Sequence, residues 1–254
     1  TKVLPPSELS WVGHGSTPVS THRTGWGNDD FFIGIKGGSP GFAHSHMDIG
    51  SFVLDAAGER FVMDLGVHDY HSLEDKGLKI WSRTQNSERW KIFRYTNFGH
   101  STLVFDGKHQ LVDQDARIIC HSSEPGKRSA TVDMSKIYGN SVDRAIRTVS
   151  IIDGSYVKVE DWIINNSHLS NIRWAILTTN NISHESRNSA LLSIAGKRLK
   201  VEVISPADVE LVTWSTKPNH TWEHNNPGTA LLGFEYQIEP DENLTFKVFL
   251  SILN

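Results

Sequence analysis

The stretch Gly41-Phe42-Ala43-His44-Ser45-His46-Met47-Asp48-Ile49-Gly50-Ser51-Phe52 concentrates more polar chemistry than any other part of the chain. Two imidazoles stand one residue apart and a carboxylate follows two further on. On extended backbone, side chains two apart point the same way, so His44, His46 and Asp48 are expected to share one face. Desolvating three such groups together is costly unless a metal, a proton-transfer task or a charged ligand offsets it. Two further groups can join them. Asp64 ends the segment Phe61-Val62-Met63-Asp64, and antiparallel pairing about Ala57-Gly58 returns it to the neighbourhood of Met47 to Gly50. His100, in Gly99-His100-Ser101-Thr102, enters another strand signal. Two imidazoles and one carboxylate suit zinc with a fourth position left to water. The competing explanation is chance, because the chain holds 13 histidines, and some of them serve only to hydrogen-bond backbone.

The elements that must position these groups read as strands. Segments rich in β-branched and aromatic residues run from Phe31 to Lys36, Ser51 to Asp55, Arg60 to Asp64, Thr102 to Phe105 and Lys108 to Val112. Ala56-Ala57-Gly58-Glu59 and Asp106-Gly107 are their turns, the latter a favoured two-residue connection. Further strands are expected at Tyr156 to Ile164, Ile172 to Thr178, Leu191 to Ile194, Leu199 to Ile204, Val209 to Trp214, Leu231 to Ile238 and Leu244 to Ile252. The one helical candidate lies within His71 to Trp90. Many short strands between Gly, Asn, Asp and Pro turns predict an all-β fold, a large antiparallel β-sandwich. With no repeat, low-complexity tract or linker, residues 1–254 read as one domain.

Composition narrows the function classes. Twenty-five Lys and Arg against 29 Asp and Glu give a net charge of −4, and the basic residues are scattered, so nucleic acid is not an expected partner. No apolar run reaches the roughly 18–20 residues that cross a bilayer. The start Thr1-Lys2-Val3-Leu4-Pro5-Pro6 has neither an initiator methionine nor an apolar signal core, which predicts a processed chain or a piece of a longer one. Cys120 is the single cysteine, which excludes an internal disulfide, and its place after Ile118-Ile119 predicts a buried thiol.

Three blocks in order, Gly41 to Phe52, Asp64-Leu65-Gly66, and Gly99-His100-Ser101-Thr102-Leu103 with Asp106-Gly107, carry a family resemblance. They resemble the C-terminal β-sandwich domain of the heparinase II/III-like polysaccharide lyases, an architecture shared with oligoalginate lyases. The matching part runs from about residue 28 to 112. The resemblance implies a structural zinc ion on His46, Asp64 and His100, with His44 facing the active-site cleft and Tyr70 as a second catalytic group there. It implies β-elimination on a uronate-containing acidic glycan: the C5 proton is removed, the O4-linked sugar leaves, and the uronate carboxylate must be neutralised. It also implies that the main base stands on an N-terminal α/α toroid of the same protein, absent from these residues. The fragment alone is then expected to be inactive, and the location to be periplasmic or extracellular in a bacterium. Ser101 departs from the pattern, which has asparagine there.

Between the second and third blocks, Arg83, Arg89, Lys91 and Arg94 form a basic region; Arg83 and Arg89 are the expected contacts to uronate or sulfate groups, against the alternative of a solvated loop. Trp81 and Trp90 could stack on sugar rings, although tryptophans more often fill cores. Asp48 is expected to orient His44 or cap a turn. His68, His109 and His121 read as surface residues or as supports for the site. A non-catalytic carbohydrate-binding or structural sandwich is the main rival function. A cupin-type oxygenase fits poorly, because Ile49, Gly50 and Ser51 stand where its glutamate belongs.

Overall fold

The computed structural model describes residues 4–179 and 181–253. The strands are β1 (Ser10–Gly13), β2 (Val19–Arg23), β3 (Phe32–Lys36), β4 (Phe52–Ala56), β5 (Glu59–Val62), β6 (Leu103–Phe105), β7 (Arg117–Glu124), β8 (Lys127–Asp133) and β9 (Arg144–Ile152). They continue as β10 (Tyr156–Ile164), β11 (Ser170–Thr179), β12 (Ile182–Ser186), β13 (Ser189–Ile194), β14 (Lys197–Ser205), β15 (Val212–Ser215), β16 (Thr229–Ile238) and β17 (Asn243–Leu253). Two short helices, α1 (Tyr70–Glu74) and α2 (Ser135–Tyr138), interrupt them. Strand order is β1-β2-β3-β4-β5 in one sheet, β12-β13-β14-β17-β10-β9-β8-β7 in a second and β15-β16-β11-β6 in a third. The fold is an all-β sandwich with antiparallel pairing. One core cluster joins the sheets, with Ile33 and Ile35 from the first, Val149 and Val159 from the second, and Trp174 and Phe234 from the third.

Alternation explains the strands. In β10 the inward residues Val157, Val159, Asp161 and Ile163 are buried while Tyr156, Lys158, Glu160 and Trp162 are not. The expected hairpin of β4 and β5 forms about Ala57 (φ 51°) and Gly58 (φ 82°). Asp106 (φ 51°) and Gly107 (φ 65°) also make the expected tight turn. Its return arm does not form. Lys108 to Val112 is not a strand; β6 pairs with β11 instead, Leu103 opposite Trp174, and Gln110 is buried with its side chain on the backbone of Ile49. The expected helical stretch shrinks to α1, capped by Asp69 accepting the Ser72 N–H at 3.1 Å, and a 3-10 turn over Glu88–Lys91. The Val209 to Trp214 strand lies later, as β15. Cys120 is exposed, not buried. A register shift between Ile118 and Cys120 in the β7–β8 pairing breaks the alternation that would have turned it inward.

The first and second sheets meet over a polar knot. Ser20 Oγ lies 3.0 Å from His22 Nε2 and 3.1 Å from His121 Nδ1, and the two imidazoles stack at 4.9 Å. Burial, then the charges of His121 and Arg128, hold the His22 imidazole down at about 4. An unfolded histidine titrates near ~6.5, so the two states differ only below that pH. Above ~6.5 both are neutral and the full stability is present. As pH falls from there to about 4 the unfolded chain takes up the proton and the folded one does not, which costs up to ~3 kcal/mol; below about 4 the loss is complete. Urea midpoints of the wild type should therefore fall between pH 6.5 and 4 more steeply than those of His22→Gln. Parallel curves for the two proteins would assign the slope to other groups.

No helix among the described residues is long and apolar enough to cross a membrane.

Candidate functional site

The His44 to Asp48 segment is not extended. A run of turns, with Phe42 N–H on Ser39 O at 3.4 Å and Ser45 N–H on Phe42 O at 3.2 Å, carries His44 into the left-handed region at φ 62°. The period-two premise fails there, so the three polar side chains do not share one face. His44 is exposed, His46 is buried, and Asp48 turns to Lys36, whose Nζ stands 2.6 Å from both carboxylate oxygens. Asp48 therefore does not orient His44. Gly50 closes the segment at φ 77°, where a side chain would be strained and its Cβ would displace Met134 Sδ.

Below this loop, β5 hands the chain to the Met63 N–H contact with Leu177 O at 2.9 Å, which brings Asp64 against His100. His100 Nδ1 and Asp64 Oδ2 are 2.6 Å apart, and Asp64 Oδ1 accepts the Gly66 N–H at 2.8 Å. His46 packs at a tilt against Tyr95 at 4.4 Å and lies 5.6 Å from His100, centroid to centroid. Burial, then the charges of His100 and Arg89, push the His46 imidazole well below its ordinary range and keep it neutral. Burial would raise the Asp64 carboxyl, but the charge and hydrogen bond of His100 outweigh it and hold it low. Burial would lower His100, but the charge and hydrogen bond of Asp64 outweigh that and raise it.

The fit to a metal can be judged from these atoms. The donor types suit zinc, and the fully buried His100 has an Nε2 with no partner, an atom that a bound cation could satisfy. Yet among the described residues no group of three or more His, Cys, Asp or Glu side chains is disposed to hold a metal ion. Asp64 and His100 are closed on each other in a hydrogen bond, and that contact would have to open. The residues fit by type and convergence, not by present spacing.

Next to these three residues lies an aromatic cluster in which His44 and Trp81 are exposed and Tyr70 is half-buried. His44 Nδ1 is 3.2 Å from the Tyr70 hydroxyl, the His44 ring meets the edge of Trp81 at 5.7 Å, and Tyr70 and Trp81 are 5.0 Å apart. Trp81 is 53% exposed and anchored by its Nε1–H on Glu74 Oε1 at 2.6 Å. Trp90 instead belongs to the core beneath, with Met47, Ile92 and Tyr95. Of the basic region, Arg83 and Lys91 are exposed. Arg89 is buried, lies 4.3 Å over the Tyr95 ring and donates twice to Ser45 O, at 3.2 and 2.9 Å. Arg94 donates to Leu65 O and Val67 O, both at 3.3 Å, and to Asn226 Oδ1 at 2.8 Å. Lys91 pairs with Glu88.

Of the supports, His68 is readable in the sequence as one of two alternatives, and Glu223 is not. His68 is fully buried: its Nε2 accepts the His224 N–H at 2.8 Å and its carbonyl accepts the Tyr95 hydroxyl at 3.1 Å. Glu223, also buried, accepts the Phe93 N–H at 2.7 Å. His109 and His121 are half-buried and outside the cluster. The Ser101 hydroxyl, where the family pattern has asparagine, accepts the Leu177 N–H at 2.9 Å and so completes an edge of β11.

This fold has solved counterparts. A heparinase III gene product superposes with a TM-score of 0.75 at 16% identity, over 98% of this chain and 36% of that one. The heparan sulfate lyase HepC from Pedobacter heparinus gives 0.75 at 20% identity, over 98% and 37%. A second heparinase III structure gives 0.76 at 13% identity, over 98% and 37%. The chain thus spans little more than a third of the structures it matches, and at these identities they speak for the fold alone. No curated protein sequence matches. The sequence profile described as "Heparinase II/III-like, C-terminal" matches residues 20–241, most of the chain. The exposed His44 and Trp81 with the half-buried Tyr70, and the buried His46 and His100 with the partly solvent-open Asp64, thus stand in a chain that belongs to the heparinase II/III-like family, as its C-terminal domain.

Proposed function

We propose that this domain forms one wall of the cleft of a polysaccharide lyase that cleaves a uronate-containing acidic glycan, with an N-terminal α/α toroid of the same protein as the other wall. The observation that carries the reading is the His44–Tyr70–Trp81 cluster, linked through Tyr95 to the buried imidazoles of His46 and His100 and to the partly solvent-open Asp64. In the reaction the C5 proton is taken by a base, the C4–O4 bond breaks with formation of the C4=C5 double bond, and the departing O4 receives a proton. His44 and Tyr70, 3.2 Å apart, form a proton-transfer pair at the cleft. Trp81 offers an apolar face to a sugar ring, and Arg83 a cation to a carboxylate or sulfate. Arg89 acts through the Ser45 carbonyl, holding the turn that aims His44 outward and His46 inward.

His46, Asp64 and His100 would hold zinc, which when bound supplies a fixed cross-link between the β5 exit and the His100 segment, a structural role. Export to the periplasm or beyond suits a polymer substrate of this size and charge.

The direct test is to incubate the full-length protein with heparan sulfate, hyaluronan and alginate and follow the ultraviolet absorbance of unsaturated uronate. Product with at least one polymer is expected; none with any, alongside retained binding, would favour a carbohydrate-binding domain. Within that assay, Trp81→Ala should raise KM by roughly 3- to 10-fold with kcat nearly unchanged, the size of one aromatic stacking contact. An equal loss in kcat with KM unchanged would remove Trp81 from ground-state binding.

A further inference from the structure

The buried charge with the widest reach in this domain lies outside the cleft. Arg147, inward-facing on β9, is fully buried and pairs bidentately with Asp161 of β10, Nε to Oδ1 at 2.7 Å and Nη2 to Oδ2 at 3.0 Å. The two residues are direct cross-strand partners. Trp174 of β11 adds its Nε1–H to Asp161 Oδ2 at 3.0 Å. The remaining nitrogen is divided between two carbonyls: Nη1 donates to Gly50 O and to Ser101 O, each at 2.9 Å. Gly50 closes the loop that carries His44 and His46, and Ser101 follows His100 directly. One guanidinium therefore grips both chain segments on which the two buried imidazoles ride.

A buried ion pair is a poor device for stability alone, since well-packed apolar residues often do as well. Its value here is directional. A guanidinium has donors in a fixed planar fork, so two carbonyls bonded to the same nitrogen are held at a set separation. The neighbouring contacts point the same way. Thr102 Oγ1 donates to Ile49 O at 2.7 Å, and Gln110 accepts the Ile49 N–H at 3.1 Å while donating to Ile49 O at 2.9 Å. The loop is thus bolted to the His100 segment from below, with Arg147 as the bolt that reaches the second sheet.

We infer that Arg147, held by Asp161, is a positioning residue that fixes the separation of His46 from His100 by clamping the Gly50 and Ser101 carbonyls together. The consequence for zinc rests on the metal reading above; the clamp itself does not.

The test uses the full-length protein and the double replacement Arg147→Met with Asp161→Asn, which removes the charge pair while leaving an amide oxygen for Trp174. Zinc affinity is read by chelator competition, and backbone order by hydrogen–deuterium exchange over residues 44–50 and 100–102. The expected result is a 10- to 100-fold loss of zinc affinity, the size found for groups that orient ligands, with faster exchange in those two segments and a melting temperature near that of the wild type. Affinity within twofold and unchanged exchange would overturn the proposal. Should the wild type hold no zinc, the metal reading fails and the exchange decides alone: faster supports the clamp, unchanged refutes it. If the double variant does not fold, Arg147→Lys serves in its place, since it keeps the charge opposite Asp161 but cannot reach both carbonyls, and the same outcomes apply.

Discussion

Replacing His100 by alanine should strip the protein of bound zinc, from about one ion per chain to almost none, and lower its stability by about 3 kcal/mol. The side chain is fully buried, and its loss removes two things at once. One is a nitrogen of the proposed zinc site, without which two remaining side chains would not hold the metal tightly. The other is the counter-charge of Asp64, whose carboxylate then stays behind with only the Gly66 N–H. Breaking a buried pair usually costs about 3–5 kcal/mol. Asp64 keeps 33% of its side chain in solvent, which sets the expected value at the lower end. Metal analysis after gel filtration reads the first effect and thermal melting the second. His71→Ala, at a side chain 91% exposed, is the control and should change neither. Zinc retained at full stoichiometry in the His100 variant would place the metal elsewhere.

Tyr70→Phe should lower kcat on the uronate polymer by at least ~100-fold while zinc content and KM stay close to wild type, the usual scale for one proton-transfer group. The substitution removes a single oxygen. The ring, with its contacts to His44 at 5.6 Å and Trp81 at 5.0 Å, remains to line the cleft. For the partner residue the informative change is His44→Asn rather than alanine. Position 44 sits at φ 62°, a conformation asparagine tolerates and most residues resist, so the backbone turn is kept while the imidazole is lost. A similar drop in kcat is expected. Full activity in both variants, assayed in the full-length protein, would leave this domain with binding alone and move all the acid–base chemistry to the other wall of the cleft.

The two predictions depend on residues that were legible in the sequence to different degrees. Asp64 could be placed near His46 because the β4–β5 hairpin has a turn that local chemistry dictates and Asp64 stands just past its end, whereas His100 joined them through the family resemblance. The shared face of His44, His46 and Asp48 could not. Whether a polar segment runs extended depends on tertiary contacts, and here Arg89 on Ser45 O and Lys36 on Asp48 bend it into turns. Lys108 to Val112 misled for a related reason: its alternation is that of a strand, but Gln110 spends its hydrogen bonds on Ile49. The strand β9 escaped notice because Arg147 occupies an inward position in Arg144-Ala145-Ile146-Arg147-Thr148-Val149, which disguises the apolar period. Its partner Asp161 lies on the next strand, and only the register Arg147↔Asp161 reveals that the charge is buried and matched. In β7 the run Cys120-His121-Ser122-Ser123 is largely exposed, and a strand with no apolar face leaves little pattern to read.

On the proposed function, His46, Asp64 and His100 together take a zinc ion beside the His44–Tyr70 pair. An anomalous difference map collected at the zinc edge from crystals of the full-length protein tests it most directly. A single strong peak is expected within about 2.0–2.2 Å of one nitrogen from each histidine and one oxygen of Asp64, with the Asp64–His100 hydrogen bond opened to admit it. A map without a peak there, with His100 Nδ1 and Asp64 Oδ2 still 2.6 Å apart, would contradict it.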